Sequence, residues 1–246
     1  MIQVRGLRIE YGRGRKRMLA VKAVDFTVPP GDFVALIGPS GCGKTSILLA
    51  IDGLIKPSGG EVLVGGEEVR GVRRDVAFVP QDAGLLPWKT VRANAELALR
   101  LQKRSTDVVG PVLRELGLGG FENRYPSELS EGMRRRVGIA RALALRPEVL
   151  LMDEPMANLD TLTRERIQDI ILRLWHMYRF TGILVTHDIE EAVFLGRRII
   201  VLSPRPAEVV EVLENPEMGE LGYRRSPAFY RLVTEVRRVL KSLEAG

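Results

Sequence analysis

The stretch "GPSGCGKT", residues 38–45, matches the pattern G-x-x-x-x-G-K-[ST], in which glycines precede a lysine and a hydroxyl side chain. It follows a continuous apolar run, "DFVALIG" (32–38), and leads into a segment of helical character, "KTSILLAIDGL" (44–54). A buried strand, this loop and a helix in succession are the context in which the pattern forms a P-loop, a backbone cradle for phosphate. The sequence therefore predicts a phosphate-binding site at residues 38–45.

The residue types of the P-loop suit the phosphate chain of a nucleotide. Gly38, Gly41 and Gly43 allow the backbone to wrap closely around phosphate, and the N-terminus of the following helix adds positive potential. We expect Lys44 to reach the β- and γ-phosphates and the Thr45 hydroxyl to bind Mg²⁺. The predicted nucleotide contacts of this segment are Gly38, Pro39, Ser40, Gly41, Cys42, Gly43, Lys44, Thr45 and Ser46.

A second apolar strand, "VLLMDE" (149–154), ends in two carboxylates. We expect Asp153 to hold Mg²⁺, through water, because hard cations prefer oxygen ligands. Glu154 lies one residue further along, where a carboxylate can polarise an attacking water or accept its proton. The alternative is a solvated strand end, which the presence of a P-loop in the same chain disfavours.

Two further polar side chains end strand-like segments, Gln81 in "DVAFVPQ" (75–81) and His187 in "GILVTH" (182–187). Parallel strands place their C-terminal ends on one edge of a sheet, so both side chains are predicted to join Asp153 there. Gln81 can bind Mg²⁺ and position water, and His187 can contact a γ-phosphate. An isolated strand-end histidine is otherwise more often simply exposed.

Tyr11 lies at the end of an early strand and precedes the P-loop in the chain. An aromatic ring in this place could stack on adenine. A tyrosine packed in the core or on an edge strand is nearly as compatible with the sequence.

Composition narrows the class of protein. The chain has 246 residues, a single cysteine (Cys42) and a formal net charge of +6. One cysteine allows no intrachain disulfide, which fits a reducing cytoplasm. No apolar run reaches the ~18 residues that a membrane-spanning helix needs, and the N-terminal stretch lacks a signal-peptide core. The basic surplus, with short runs at 13–17 and 134–136, fits either a solvated surface or an anionic partner.

Strands that alternate with helices predict an α/β fold with a parallel sheet. Residues 2–11 and 20–28 alternate in polarity and predict antiparallel strands, joined by the basic loop "RGRKR". The expected parts of one 246-residue domain are an ATP-binding core with a β subdomain (1–90 and 147–205), an inserted helical subdomain (91–146) and a C-terminal appendage with one helix (206–246).

Several motifs occur together in a familiar order. They are "GPSGCGKT", Gln81 in "VPQD", "LSEGM" (129–133, here the signature loop) before a long helix, "LLMDEP", "NLD" (158–160) and "THD" (186–188). This set resembles the ATP-binding subunit of an ABC transporter over nearly the whole chain. The segments "LLPWKTVRANAELAL" (85–99) and "EEAVFLGRRIIVLSPRP" (190–206) are similar to importer ATPases of the nitrate/sulfonate/taurine group.

The resemblance implies an ABC-type P-loop NTPase in which two copies, or one copy and a paralogue, sandwich ATP and Mg²⁺ head to tail. Each ATP would lie between the P-loop of one copy and the signature loop of the other, where Ser130 and the amide of Gly132 contact phosphate. Asp160 would cross the dimer interface. The helical block and the loop after Gln81 would face membrane permease subunits. A solute-binding protein would deliver the solute to those permease subunits. These partners imply a cytoplasmic protein, peripheral on the inner face of the cell membrane.

The signature loop departs from the usual Leu-Ser-Gly-Gly-Gln, because Glu131 stands at its third position and Met133 at its fifth. A carboxylate beside a γ-phosphate would be costly in a site of low dielectric constant. We therefore expect the Glu131 side chain to point away from the phosphate while Ser130 and the Gly132 amide still make the contact. Replacing Glu131 by glycine is expected to strengthen ATP-driven dimerisation modestly.

Two other functions remain compatible with the resemblance. An ABC ATPase acting on DNA or ribosomes would suit the basic charge. Such proteins usually carry coiled-coil insertions, zinc sites or a second cassette, and this chain has no CxxC pattern and one P-loop. An exporter ATPase is the other alternative, although exporters are often fused to membrane helices. The importer interpretation, with no nucleic-acid partner, is the one we carry forward.

Overall fold

The computed structural model describes residues 1–12 and 17–244 of the chain. The basic loop predicted at 13–17 lies outside the described residues except for Arg17. The chain divides into two compact units, a first unit of residues 1–73 and 180–246 and a second unit of residues 74–179. The predicted partition into core, helical subdomain and appendage follows different boundaries and stays a prediction.

The strands, in chain order, are β1 (Ile2–Tyr11), β2 (Met18–Val28), β3 (Phe33–Ile37), β4 (Gly59–Val64), β5 (Glu67–Glu68), β6 (Val76–Val79), β7 (Val149–Asp153), β8 (Thr181–Thr186), β9 (Arg198–Leu202) and β10 (Ala207–Glu214). The helices are α1 (Lys44–Ile51), α2 (Val91–Leu101), α3 (Val109–Glu115), α4 (Glu131–Leu143), α5 (Thr161–Tyr178), α6 (Ile189–Leu195) and α7 (Pro227–Glu244). Short 3₁₀ turns lie at Pro126–Glu128 and Tyr223–Arg225.

The sheet of the first unit runs in the order β5-β4-β1-β2-β10-β9-β3-β8. The pairs β1–β2 and β1–β4 are antiparallel, as the alternating pattern of residues 2–11 and 20–28 predicts. In contrast, β3 pairs in parallel with both β8 and β9. Every residue of β3 and of β8 is buried, which explains why these strands read as continuous apolar runs.

The second unit contains the parallel pair β6–β7 and the helices α2 to α5. Within it, α4 packs against α2, α3 and α5. The buried residues of α4 are small or aliphatic, such as Val137, Ile139 and Ala140, apart from Arg135, and its other arginines are half-buried. This amphipathic spacing is what allows one helix to organise three neighbours.

The C-terminal segment differs from the prediction of an appendage with one helix. Residues 207–214 form β10, which pairs antiparallel with β9 and parallel with β2 inside the sheet of the first unit. The predicted helix is present as α7, which packs against α6 and β9. The strand was overlooked because "AEVVEVLE" mixes acidic and apolar residues, a pattern that is typical of a strand only once its partners are known.

The helices α5 and α7 are the longest in the described part of the chain, with 18 residues each. Both carry charged residues along their length, as "TLTRERIQDIILRLWHMY" shows for α5. Across the described residues, no helix combines the length and the apolar character that crossing a bilayer requires.

Candidate functional site

The P-loop of the first unit depends on glycine at three points. Gly41 and Gly43 have φ values of +71° and +122°, which side chains rarely tolerate. A Cβ at Gly43 would lie 2.9 Å from the Ala20 carbonyl oxygen, and one at Gly38 would lie 2.8 Å from the Leu202 carbonyl oxygen. The glycines that the motif requires are therefore imposed here both by backbone conformation and by neighbouring strands.

Lys44 is buried and its ammonium group is held inside the loop. Its Nζ donates hydrogen bonds to the carbonyl oxygens of Gly38, at 2.8 Å, and Pro39, at 2.9 Å. The Cys42 sulfur lies 3.8 Å from the same nitrogen and is buried. The ammonium group therefore lies inside the loop, where a phosphate chain would compete with the two carbonyl oxygens for its hydrogen bonds.

The N-terminus of α1 offers positive potential without an internal anion to neutralise it. The helix begins at Lys44, its N-cap residue Gly43 has no side chain, and its first turn holds no acidic residue. Thr45 is exposed at this end. Backbone amides at such a terminus favour a bound anion, as the motif predicts.

Tyr11 ends β1 beside the helix that follows the P-loop. Its ring is 36% exposed, and its hydroxyl donates a hydrogen bond of 2.9 Å to the Ser46 Oγ. β1 lies between β2 and β4, but its pairing with β4 extends only to Arg8, so Tyr11 has a strand partner on the β2 side alone. The residue is partly exposed next to α1 and is not a core residue, and adenine stacking stays a prediction.

His187 follows β8 at the same edge as the P-loop. The parallel register pairs Ile37 of β3 with Thr186 of β8, so Gly38 and His187 are the next residues along two adjacent strands. His187 is exposed, and the following Asp188 caps α6 by accepting from the Glu191 amide at 3.0 Å. The first unit therefore brings His187 to the P-loop edge, as its strand-end position predicts.

The second unit brings Gln81, Asp153 and Glu154 together. The register pairs Val79 with Met152, so Gln81 and Glu154 both leave the same edge of the β6–β7 pair. The Gln81 side-chain amide donates to a Glu154 carboxylate oxygen at 3.5 Å, while Asp153 is buried at the end of β7. The clustering predicted for these residues is therefore present within this unit.

Glu154 has an unusual backbone conformation. Its φ is +44°, in the left-handed region that a residue with a side chain occupies at a cost of ~1–2 kcal/mol. The residue is half-buried and directly follows the buried Asp153. Strained residues of this kind concentrate at functional sites, where the conformation aims a side chain. Sequence inspection gives no sign of this strain.

Asp160 serves as the N-cap of α5 in the chain itself. Its carboxylate accepts a hydrogen bond of 3.0 Å from the Thr163 amide. That hydrogen bond lowers the pKa of Asp160, so the group is ionised near neutral pH. The predicted contact with a second subunit has to coexist with this cap.

The signature loop leads into α4 in the same way that the P-loop leads into α1. Ser130 is exposed and caps α4, its Oγ accepting from the Met133 amide at 3.3 Å. Gly132 is buried, and a Cβ there would lie 2.5 Å from the Thr163 Cγ2 on α5. A larger residue at this position would therefore have to displace the Thr163 side chain on α5.

Glu131, the departure from the usual signature, is turned onto its own helix. Its carboxylate accepts from Arg134 Nη2 at 2.8 Å and lies 3.2 Å from Arg135 Nε. The Arg135 side chain is 6% exposed, and its Nε and Nη1 form no hydrogen bond within the described residues. Glu131 thus compensates the charge of a buried guanidinium. The i+3 and i+4 spacing in "EGMRR" favours these ion pairs, because residues at that spacing share a helix face.

The family model described as "ABC transporter" matches residues 21–157, more than half of the chain and the part that contains the P-loop, Gln81, the signature loop and Glu154. The chain belongs to the ABC transporter family. The resemblance seen in the sequence motifs is thereby confirmed.

Named relatives of this ABC protein are similar over most of its length. The chain is 37% identical to an aliphatic sulfonates import ATP-binding protein, SsuB, of Bacillus cereus, over 100% of this chain and 96% of that protein. It is 38% identical to the nitrate import ATP-binding protein NrtD of Synechocystis sp., over 94% and 91%. It is 44% identical to the taurine import ATP-binding protein TauB of Yersinia pestis, over 87% and 84%.

Solved structures agree with the fold. A dimeric post-hydrolysis state of the ATP-binding cassette MJ0796 with ADP and Pi has a TM-score of 0.78 and 33% identity, covering 87% of this chain and 98% of that one. A second dimeric MJ0796 structure has a TM-score of 0.79 at 34% identity. The chain is therefore an ABC-type P-loop ATPase that binds ATP, and the predicted fold class is confirmed.

Proposed function

We propose that this ABC ATPase energises the import of a small solute, such as nitrate, a sulfonate, taurine or a similar compound, through membrane permease subunits. The observation that carries the ATPase part of the proposal is the pair of loops, the P-loop before α1 and the signature loop before α4, because each ends at a helix N-terminus suited to nucleotide phosphate. The relatives named for sulfonate, nitrate and taurine import support the direction of transport and the class of solute.

The geometry of α4 supports head-to-tail pairing of two copies, or of one copy and a paralogue. Ser130 caps its start, whereas Arg141 near its end donates to the carbonyls of Ala83 and Gly84, just after Gln81. Eleven residues of helix separate the two ends by roughly 16 Å. Ser130 is therefore far from the Gln81 loop of its own chain, and a partner's nucleotide is its natural target. The dimeric MJ0796 structures support this arrangement.

The donor set proposed for Mg²⁺ fits that ion. Thr45 offers a hydroxyl, Asp153 a carboxylate and Gln81 an amide oxygen, and all are hard oxygen donors. Mg²⁺ would neutralise charge on the β- and γ-phosphates. Lys44 would add its hydrogen bonds to the same phosphates, and Tyr11 would stack on the adenine.

Glu154 is the proposed general base for the attacking water. Its carboxylate is aimed by the strained backbone and contacts Gln81 at 3.5 Å, so Gln81 can orient the same water. His187 follows β8 beside the P-loop and would contact the γ-phosphate. Ser130, the Gly132 amide and Asp160 would act on the nucleotide across the dimer interface.

The loop after Gln81 is the proposed permease contact. Trp88 is 71% exposed, yet its loop is well anchored, because the buried Asn94 side chain bonds to Leu86 and Lys89. A large exposed aromatic side chain on a fixed loop is typical of a protein interface. Docking there would place the chain on the cytoplasmic side of the membrane, with a solute-binding protein acting on the permease.

Glu154→Gln tests the catalytic part of the proposal. The variant is expected to bind ATP and to dimerise, while turnover with Mg²⁺ falls by at least about 100-fold, the contribution of a general base. Glu148→Gln, which removes an exposed carboxylate at the opposite end of β7, should leave turnover unchanged. Undiminished turnover in Glu154→Gln would remove Glu154 from the catalytic role.

Affinity purification from native membranes tests the transport part. A polytopic permease and a solute-binding protein are expected to copurify with the chain, and Trp88→Ala is expected to weaken recovery of the permease. The nucleic-acid alternative would be favoured instead if no permease copurified and if the protein retarded duplex DNA in a gel-shift assay at physiological salt.

A further inference from the structure

The connection between β9 and β10, "SPRP" (203–206), reaches the P-loop from outside. Arg205 donates two hydrogen bonds to the Gly41 carbonyl oxygen, from Nη2 at 2.7 Å and from Nε at 3.0 Å. All of these residues belong to the first unit. A guanidinium group thus clamps a main-chain atom of the phosphate-binding loop.

This clamp sets the orientation of one peptide group in the loop. The C=O and N–H of a trans peptide point in opposite directions, so the Arg205 bond to Gly41 directs the Cys42 N–H to the other side. There the Cys42 N–H donates to the Pro39 carbonyl at 3.3 Å and closes a turn. Gly41 itself lies at φ +71°. Glycine allows this backbone conformation but does not restrict the backbone to it. Arg205 supplies the restraint that the glycine lacks.

Arg205 also reaches the strand pair that carries Tyr11. Its Nη1 lies 2.8 Å from the Met18 sulfur, and Met18 pairs with Tyr11 across β1 and β2. Tyr11 in turn donates to Ser46 on α1. A continuous set of contacts therefore joins the P-loop, Arg205 and the proposed adenine-binding edge.

The distribution of cations around the loop gives Arg205 a role that Lys44 cannot fill. Lys44 bonds to the Gly38 and Pro39 carbonyls, and in the proposed site it turns to the phosphates. Arg205 bonds to Gly41 on the outer side and has no need to leave when nucleotide binds. The planar guanidinium of Arg205 donates two hydrogen bonds to the Gly41 carbonyl oxygen. A lysine ammonium on a flexible chain does not reproduce this geometry.

We propose that Arg205 is a positioning residue of the nucleotide site, which holds the P-loop in its phosphate-binding conformation and ties it to the strands that carry Tyr11. The proposal rests on the proposed ATP site at residues 38–46. Arg205 acts through the loop and touches no reacting atom, so its contribution is to the affinity for nucleotide and not to the chemical step.

Equilibrium binding of ATP and of ADP to Arg205→Ala tests this role. Both affinities are expected to fall about fivefold, the net contribution of one typical hydrogen bond, because the loop cradles the phosphates that both nucleotides share. The KM for ATP should rise by the same factor, with kcat within about twofold of the parent. Arg205→Lys should recover part of the affinity.

Arg70→Ala is the matched control, because Arg70 is an exposed arginine of the first unit whose guanidinium pairs with Glu68. It should leave both affinities unchanged. Thermal unfolding of each variant separates loss of folding from loss of binding.

Unchanged affinities in a folded Arg205→Ala would overturn the proposal, and so would a loss confined to ATP, which indicates direct contact with the γ-phosphate. A fall in kcat at unchanged KM would also contradict it. Failure of the unaltered protein to bind ATP would instead contradict the proposed site itself, so the two failures are distinguishable.

Discussion

Two loops of this chain lead into the N-terminus of a helix, the P-loop into α1 and the signature loop into α4, and they arrange charge in opposite ways. The P-loop has no anion of its own, and cations bond to its carbonyls, Lys44 from inside and Arg205 from outside. The signature loop carries an anion, Glu131, whose charge is taken up by Arg134 and Arg135 on the following turn.

The comparison shows that the charge presented by a loop depends on its ion pairs and not on one letter of its motif. Glu131 would repel phosphate if its carboxylate were unpaired, but it lies against two guanidinium groups. Helix geometry makes this possible, because residues three and four positions apart share a face. A loop that departs from its usual motif can therefore keep an overall positive first turn.

The largest effect is expected from Lys44→Ala in the P-loop. Removal of the buried cation abolishes its bonds to two loop carbonyls and its proposed bonds to phosphate, so hydrolysis should fall by at least about 100-fold. The measurement is ATP turnover together with nucleotide binding. Unchanged turnover and nucleotide binding in Lys44→Ala would contradict this description of the P-loop, because the loop would then not depend on its buried cation.

Lys56→Ala provides the control for this prediction. Lys56 is an exposed lysine of the same unit, a few residues beyond α1. Its removal lowers the net charge by the same amount and should leave hydrolysis unchanged.

An intermediate effect is expected from Glu131→Gly in the signature loop. The variant should dimerise modestly more strongly with ATP, because a negative charge leaves the loop. Its free energy of unfolding should fall by about 1–2 kcal/mol, because the buried Arg135 loses its partner, a cost reduced by the exposure of Glu131. Sedimentation velocity in a Glu154→Gln background and urea unfolding measure the two effects separately.

Arginine variants sharpen this test. Combining Glu131→Gly with Arg135→Gln should restore most of the lost stability, whereas Arg134→Gln, which removes the more exposed partner, should cost under about 0.5 kcal/mol. Equal stability of Glu131→Gly and the parent would show that the ion pair has no energetic weight. A dimerisation constant that stays the same at every salt concentration would show that the carboxylate is remote from phosphate.

The smallest effect is expected from Asp52→Asn, which concerns the far end of the P-loop helix. Asp52 is the C-cap residue of α1, and burial raises its pKa from 3.8 to about 6. The folded protein therefore binds a proton more tightly than the unfolded chain. The stability of the parent should fall as pH rises from about 4 to 6, and remain reduced above that.

The Asn variant should lack this fall and be more stable than the parent at pH 7 by about 1 kcal/mol, with unchanged affinity for ATP. Urea unfolding between pH 4 and pH 7 is the measurement. A weakened ATP affinity would mean that charge at the C-terminal end of α1 reaches the phosphate site, and would contradict the local picture of the P-loop.

Most of the fold could be predicted from the sequence, because most of its strands are either fully buried or alternate in polarity over most of their length. The runs that became β3, β7 and β8 are continuous and apolar, and β1 and β2 alternate. β10 is the exception, because acidic and apolar residues are both partly exposed along it and only its pairing with β9 and β2 identifies it.

The candidate site also has features that the sequence predicts and features that only the structure shows. Residue type and spacing alone indicated the P-loop, Asp153 and Glu154, because phosphate and Mg²⁺ demand particular groups at particular distances along the chain. The strain at Glu154, the cap made by Asp160 and the reach of Arg205 to Gly41 depend on backbone angles and on residues far apart in sequence. No local pattern contains that information.

The signature loop separates what the sequence determines from what only the tertiary structure decides. The sequence by itself determined that a carboxylate stands where the motif has glycine, and that arginines follow three and four residues later. Only the tertiary structure decided that one of these arginines is buried against its neighbours, which makes Glu131 its counter-ion. The physical reason is that ion pairing depends on burial, and burial is set by the packing of α4 on its neighbouring helices rather than by the order of its residues.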